Sequence, residues 1–155
     1  MIDFKWLEEK VFLRPLAEQE QKTLKDTVVL EYFTKGDIVT LRPEMGGVIY
    51  LLKSGRVDAI LGFSGESLKL TDLGEGAQLG DMSFLDDAEA RASIIVKEDC
   101  EVYKITRDAL ARLFVYHQSV AKDLTFGIMR NMGRTLRHMN LVHADYLQYI
   151  QGPKG

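Results

Sequence analysis

The sequence predicts one domain of the α+β class, with an antiparallel β-sandwich or barrel between short N-terminal helices and a long C-terminal helix. Residues 1–26 carry sparse leucines among polar residues, and residues 27–105 form short apolar runs separated by glycine. Beyond residue 106 the apolar spacing becomes helical. At 155 residues, the chain has the length of a single domain, here residues 1–155, that can bury a core without disulfides.

The N-terminal segment, residues 1–26, predicts short helices. In the stretch LAEQEQKTLKD, polar residues separate Leu16 from Leu24, and Pro15 precedes the expected helix. Proline is tolerated at a helix start because the N–H that it lacks would have no partner there. The first apolar run, MIDFKWLEEKVF, contains acidic residues and therefore does not predict a secretion signal.

Residues 27–105 predict at least six strands. The apolar runs are VVLEYF, VIYLLK, VDAILGF, LKLTDLGEG, SIIV and CEVYKI, and the turns between them include KGD, SGRV and SGES. Short strands at spacings of roughly 8 to 12 residues, separated by glycine turns, are typical of an antiparallel sandwich or barrel.

Residues 107–150 predict two helices. The first places Leu110, Leu113, Phe114 and His117 on one face. The second, from about Gln118 to Ile150, would span about 50 Å. Its apolar stripe is Val120, Leu124, Ile128, Met132, Leu136, Met139 and Val142. Since such a helix is too long for a small barrel to cover, we expect a homodimer through it. A bent helix packed on its own domain is the alternative.

The composition excludes several classes of protein. The formal charge is −3, from 20 basic and 23 acidic residues, which disfavours binding to a phosphate backbone, so we expect no DNA partner. No apolar run approaches the roughly 18 residues of a membrane helix. The one cysteine, Cys100, cannot form an internal disulfide and suits a reducing cytoplasm.

The histidines argue against an enzyme. His117, His138 and His143 all fall on the predicted C-terminal helices. Metal-dependent enzymes built on β-rolls need histidines and carboxylates that converge from strands. No Ser-His-Asp, Cys-His or H-x-H arrangement falls on the predicted strands, so we expect neither a catalytic site nor a metal site.

The segment GDMSFLDDAEARAS, residues 80–93, is unusual for a strand or a surface loop. It opens with Gly80 and Asp81, carries three further acids, and places Arg91 just before the apolar run SIIV. A planar guanidinium matches the two free oxygens of a phosphate diester. Arg91 is therefore a candidate phosphate ligand, with a structural salt bridge to Asp81 or Glu89 as the alternative.

The ordered motifs resemble a known family. YFTKGDIV, IYLLKSGRVDA, LGEGAQLGDMS and CEVYKITRDAL look like a cyclic nucleotide-binding domain, similar to the sensor half of the bacterial catabolite activator family, from about Phe12 to Asn140. The resemblance implies an antiparallel double-stranded β-roll (jelly roll) and a phosphate-binding cassette at residues 80–93. It also implies a cyclic nucleotide ligand, cAMP or cGMP with cAMP the first candidate, and no further cofactor.

The resemblance implies a set of ligand-binding residues: Gly80, Asp81, Met82, Ser83, Arg91, Ala92, Ser93 and Thr135. Arg91 would take the cyclic phosphate, with backbone N–H groups of a helical turn near Met82 and Ser83. Asp81 would address the ribose 2′-hydroxyl, although the family usually has the longer glutamate there. Thr135 would correspond to the hydroxyl that contacts the purine, and a solvent or interface threonine is the alternative reading.

The expected function is a stand-alone regulatory sensor that signals through its long helix and a dimer to a downstream protein partner. The transcription factors of the resembled family continue into a helix-turn-helix domain, and this sequence has none, so we expect no docking of a recognition helix on DNA. The alternative is a ligand-free dimerisation or protein-interaction module of the same fold.

Overall fold

The structure, a computed structural model, describes residues 1–40, 47–63, 66–80, 84 and 92–152. The helices are α1 (Phe4–Leu7), α2 (Glu18–Lys25), α3 (Arg107–Tyr116) and α4 (Gln118–Gln151), with a π-helical turn at Glu8–Phe12. The strands are β1 (Val29–Phe33), β2 (Ile38–Thr40), β3 (Val48–Phe63), β4 (Glu66–Leu73), β5 (Gln78–Leu79) and β6 (Ala92–Thr106). The predicted α+β class, β-roll and long C-terminal helix are confirmed.

Two long antiparallel strands, β3 and β6, form the centre of the sheet. β1 and β2 pair with β6, whereas β4 and β5 pair with β3. The β3–β6 register runs from Val48 opposite Thr106 to Leu61 opposite Ala92. All the pairs are antiparallel, as the alternation of short apolar runs and glycines predicts.

The turn predicted at SGRV, residues 54–57, is wrong, because β3 continues through it. The register with β6 shifts three times between Leu52 and Val57, and such irregularities bend a strand and increase its twist. Gly55 has φ 94°, and a Cβ there would lie 2.4 Å from the carbonyl oxygen of Asp99. The glycine therefore marks a bulge where two strands approach closely. SIIV and CEVYKI are likewise parts of one strand, β6.

Alternate residues of β3 face two different apolar clusters. Ile49 and Leu51 belong to the first cluster, which contains the buried residues of the helices. Val48, Tyr50 and Leu52 belong to the second, which is formed by strand residues. The two-residue period of a strand explains this division. The helices thus cover one face of the sheet, and the second cluster fills the roll.

Arg14 ties the N-terminal segment to α4. Its Nη2 lies 2.8 Å from Oε1 of Glu20 and 2.7 Å from Oδ2 of Asp123. The hydrogen bond from Arg14 lowers the pKa of Glu20 below its usual range. Asp3 adds a second tie, since its N–H donates to the hydroxyl of the buried Tyr103 at 2.8 Å. These contacts attach the N-terminal segment to the beginning of α4 and to β6.

The apolar stripe of α4 is divided between two environments. Val120, Leu124 and Ile128 are buried in the first cluster, and Met132 packs against it, so this half of the stripe does not face a second copy. Leu136 is 60% exposed. Among the described residues, no helix is both long enough and apolar enough to cross a membrane.

Candidate functional site

The structure describes half of the predicted ligand-binding residues: Gly80, Ala92, Ser93 and Thr135. The other four lie outside the described residues: Asp81, Met82, Ser83 and Arg91. Their roles stay predictions. The geometry available for the site is therefore that of the two ends of the cassette, of Phe84 within it, and of α4.

The cassette begins where β5 ends. β5 pairs with Tyr50 and Leu51 of β3, and Gly80 follows it directly with φ 88°. The N–H of Phe84 donates to the carbonyl oxygen of Gly80 at 3.0 Å. This bond joins residues four apart, which is the spacing of an α-helical turn.

Phe84 connects the cassette to α3. Its side chain is buried in the first cluster, together with residues of α4. Its carbonyl oxygen accepts a hydrogen bond from Nε of Arg107 at 2.9 Å and a second bond from Nη2 of the same side chain. The guanidinium carbon lies 5.7 Å from the centre of the Phe84 ring. Arg107 is the first residue of α3.

The cassette ends in β6, whose first residues are central in the sheet. Ser93 is half-buried and pairs with Thr40 of β2 on one side and Ile60 of β3 on the other. Ala92 pairs with Leu61. Because Ser93 pairs with a strand on each side, the described end of the cassette is held within the sheet.

Thr135 lines a groove of about 300 Å³ between α4 and the turn that leads into β5. Residues 71–77 form one wall of the groove. The other residues that line the groove are Lys10, Asn131, Arg134, Thr135 and His138. The hydroxyl of Thr135 donates to the carbonyl oxygen of Asn131 at 3.2 Å. Its oxygen keeps lone pairs that can accept a hydrogen bond.

The sequence reasoning did not single out Asn131. This residue is 5% exposed, and its Oδ1 accepts from Nη1 of Arg134 at 3.1 Å. An amide side chain both donates and accepts hydrogen bonds, so it can contact the polar edge of a base. The sequence does indicate that Asn131 is buried, because it lies three residues after Ile128 and seven after Leu124. This spacing puts it on the same face of the helix as those two apolar residues.

Gln78 links the cassette entrance to α4. It is buried, and its Nε2 donates to the carbonyl oxygen of Ile128 at 3.4 Å. Gln78 lies two residues before Gly80. The start of the cassette is therefore attached both to α4, through Gln78, and to α3, through Phe84.

Cys100 is a free cysteine with a buried side chain. Burial raises the pKa of the Cys100 thiol, which keeps it protonated at neutral pH and weakly nucleophilic. No group of three or more His, Cys, Asp or Glu side chains in the described part of the chain could hold a metal ion.

The comparison with known families matches this architecture. Residues 30–117, more than half of the chain, match the family model for the cyclic nucleotide-binding domain. A cAMP-dependent protein kinase regulatory subunit of Colletotrichum orbiculare is 32% identical over 108 residues, which are 70% of this chain and 27% of that protein. The chain spans roughly a quarter of the length of the curated relatives that it matches.

Solved structures share the fold. A cyclic nucleotide-binding domain from Methylobacillus flagellatus has a TM-score of 0.74 at 16% identity, with 88% of this chain and 77% of that chain covered. The catabolite activator protein of Thermus thermophilus has a TM-score of 0.60 at 25% identity, with 85% of this chain and 62% of that chain covered.

Proposed function

The chain belongs to the cyclic nucleotide-binding domain family, and on this premise we propose that it binds a cyclic mononucleotide, with cAMP the first candidate. The proposed pocket joins the cassette, residues 80–93, to the groove at Thr135. The observation that carries the proposal is this groove, which sets two polar residues of α4, Asn131 and Thr135, against the turn that leads into the cassette.

Each part of the ligand has a proposed partner. Arg91 binds the cyclic phosphate through its planar fork, which matches two oxygens. Asp81 accepts a hydrogen bond from the ribose 2′-hydroxyl, directly or through a water molecule. Asn131 and Thr135, which line the groove, are the proposed contacts to the base. A ligand held in this way carries one negative charge, which Arg91 neutralises.

The proposed role is regulatory and not catalytic. The curated relative described above is a regulatory subunit of a protein kinase, and a downstream protein partner is the corresponding proposal for this chain. The bond from Gln78 to Ile128 and the bonds from Arg107 to Phe84 provide contacts through which the ligand affects the C-terminal helices. We also propose a cytoplasmic setting, which the buried free thiol of Cys100 supports.

Titration of the native protein and of Asp81→Glu with cAMP and cGMP tests the ligand. We expect the native protein to bind cAMP. The longer glutamate should tighten binding by about one neutral hydrogen bond, roughly 0.5–1.5 kcal/mol or two- to tenfold. Isothermal titration calorimetry measures both affinities. The 2′-deoxy analogue is the control, because it should lose the gain that Asp81→Glu provides.

One result of this titration supports the rival function. If neither the native protein nor Asp81→Glu binds any cyclic mononucleotide at millimolar concentration, the cassette is not a working site. The domain is then a ligand-free dimerisation or protein-interaction module of the same fold.

We further propose that the protein is a homodimer through a second stripe of α4, called the seam. The seam residues recur at alternating steps of three and four: Phe126, Met129, Gly133, Leu136, Asn140, His143, Leu147 and Ile150. This 3.5-residue period is that of a coiled coil. Seven of the eight seam residues are exposed and Gly133 is half-buried, but a Cβ at Gly133 would have no neighbour within 4 Å, so nothing described in the chain covers this face.

The lack of charged residues on the seam favours a second copy of the chain as its binding partner. A two-fold dimer brings the same surface of both copies together, and the seam contains no Lys, Arg, Asp or Glu. Arg130, beside the seam, is already engaged within the chain, because its Nη2 donates to the carbonyl oxygen of Val11 at 2.7 Å. The seam therefore pairs with itself without repulsion between like charges.

Leu136→Glu tests the seam against the matched variant Leu141→Glu on the same helix. Leu136 lies on the seam and Leu141 does not, although both side chains are exposed. We expect Leu136→Glu to weaken the dimer by about 2 kcal/mol, roughly 30-fold, because two partly buried leucines are lost. Sedimentation velocity measures the dissociation constants. A native monomer at tens of micromolar, or equal effects of the two variants, contradicts the proposal.

A further inference from the structure

Arg107 joins three segments that are distant in the sequence. Its backbone N–H donates to the carbonyl oxygen of Gly47 at 3.1 Å. Its side chain donates two hydrogen bonds to the carbonyl oxygen of Phe84, one of them from Nε at 2.9 Å, and lies over the Phe84 ring. The start of β3, the cassette and the start of α3 therefore meet at one residue.

Gly47 provides the space for this side chain. A Cβ at Gly47 would lie 3.0 Å from Nη2 of Arg107 and 3.1 Å from Nε. Such distances are shorter than ordinary van der Waals contacts. The guanidinium thus lies close to the backbone at Gly47, directly before β3, in space that a larger residue would occupy.

Both bonds to Phe84 come from a charged donor group, which makes them stronger than bonds between neutral groups. A lysine has one ammonium group and cannot reproduce the two parallel donors of a guanidinium. Phe84 in turn bonds to Gly80, the first residue of the cassette, through its N–H. A displacement of this turn would have to move or break the contacts with Arg107.

We infer that Arg107 is a positioning residue that fixes the Phe84 turn of the cassette against the N-terminus of α3, and that it thereby couples nucleotide binding to the position of α3 and α4. Arg107 acts through Phe84. The coupling to a ligand rests on the proposed function, whereas the fixing of the Phe84 turn is a property of the protein without ligand.

Hydrogen exchange of the ligand-free protein tests the fixing of the turn. We expect Arg107→Met to raise the exchange rate of the Phe84 amide at least tenfold, and Arg107→Lys to raise it less, because the ammonium keeps one donor. Arg112→Met is the matched control, since Arg112 is an exposed residue of the same helix, and it should leave this rate unchanged. Thermal denaturation verifies that each variant is folded.

Titration of the same variants with cAMP tests the coupling. We expect Arg107→Met to weaken affinity about tenfold, Arg107→Lys to recover part of the loss, and cAMP to protect α4 amides less in Arg107→Met than in the native protein. If the native protein does not bind cAMP, the proposed function is contradicted, but the hydrogen-exchange test of the Phe84 turn still applies. The inference is wrong if the Phe84 amide exchanges at the native rate in folded Arg107→Met or Arg107→Lys. It is also wrong if Arg107→Met binds cAMP with the native affinity and cAMP protects its α4 amides as it does in the native protein.

Discussion

Arg91→Ala is expected to weaken strongly the binding of any cyclic mononucleotide while leaving the fold intact. The variant deletes one partner of the proposed charge pair between the guanidinium and the cyclic phosphate, and the loss of one partner of a buried charge pair costs about 2–5 kcal/mol. The corresponding loss of affinity is roughly 30-fold to several thousand-fold. Isothermal titration calorimetry with cAMP measures it, and circular dichroism verifies the fold.

Two further variants separate charge from geometry. Arg91→Lys keeps the positive charge but loses the planar fork, so it should recover only part of the affinity. Arg112→Ala removes an exposed arginine from α3 and should change nothing. Unchanged affinity in Arg91→Ala would show that the ligand site lies elsewhere in the protein.

Local periodicity was enough to predict most of the fold. The helix predicted from about Gln118 to Ile150 is observed from Gln118 to Gln151, because its apolar spacing is a property of consecutive residues. The error at SGRV has the same origin. A glycine with positive φ is found both in reversing turns and in bulges, and the contact of Gly55 with the backbone of Asp99 is invisible in the local sequence.

Motifs that run along the chain predict a candidate site, whereas contacts between distant segments leave no local signal. The candidate cassette is predicted from the order of its residues, Gly80 to Ser93, and its roles stay predictions. The proposed role of Asn131 depends on the turn that lies across the groove from α4. Arg107 could be recognised in the sequence only as a helix start, because Phe84 and Gly47 lie far from it in the chain.

Gly127→Ala is expected to destabilise the protein by about 3 kcal/mol, although alanine is the better helix former by about 1 kcal/mol. A Cβ at Gly127 would lie 2.6 Å from the carbonyl oxygen of Val11 and 2.7 Å from its Cγ1. That carbonyl cannot move away freely, because Arg130 donates to it at 2.7 Å. The midpoint of thermal denaturation should fall by roughly 6–12 °C.

Gly133→Ala provides the matched control on the same helix. A Cβ at Gly133 meets nothing within 4 Å, so this variant should gain up to about 1 kcal/mol from helix propensity when the protein is dilute. The contact of Gly127 with Val11 lies within one chain, and the loss in Gly127→Ala should therefore not depend on protein concentration. A loss that grows with concentration would place Gly127 in a dimer contact instead, and a gain equal to that of Gly133→Ala would show that α4 does not pack on the turn at Val11.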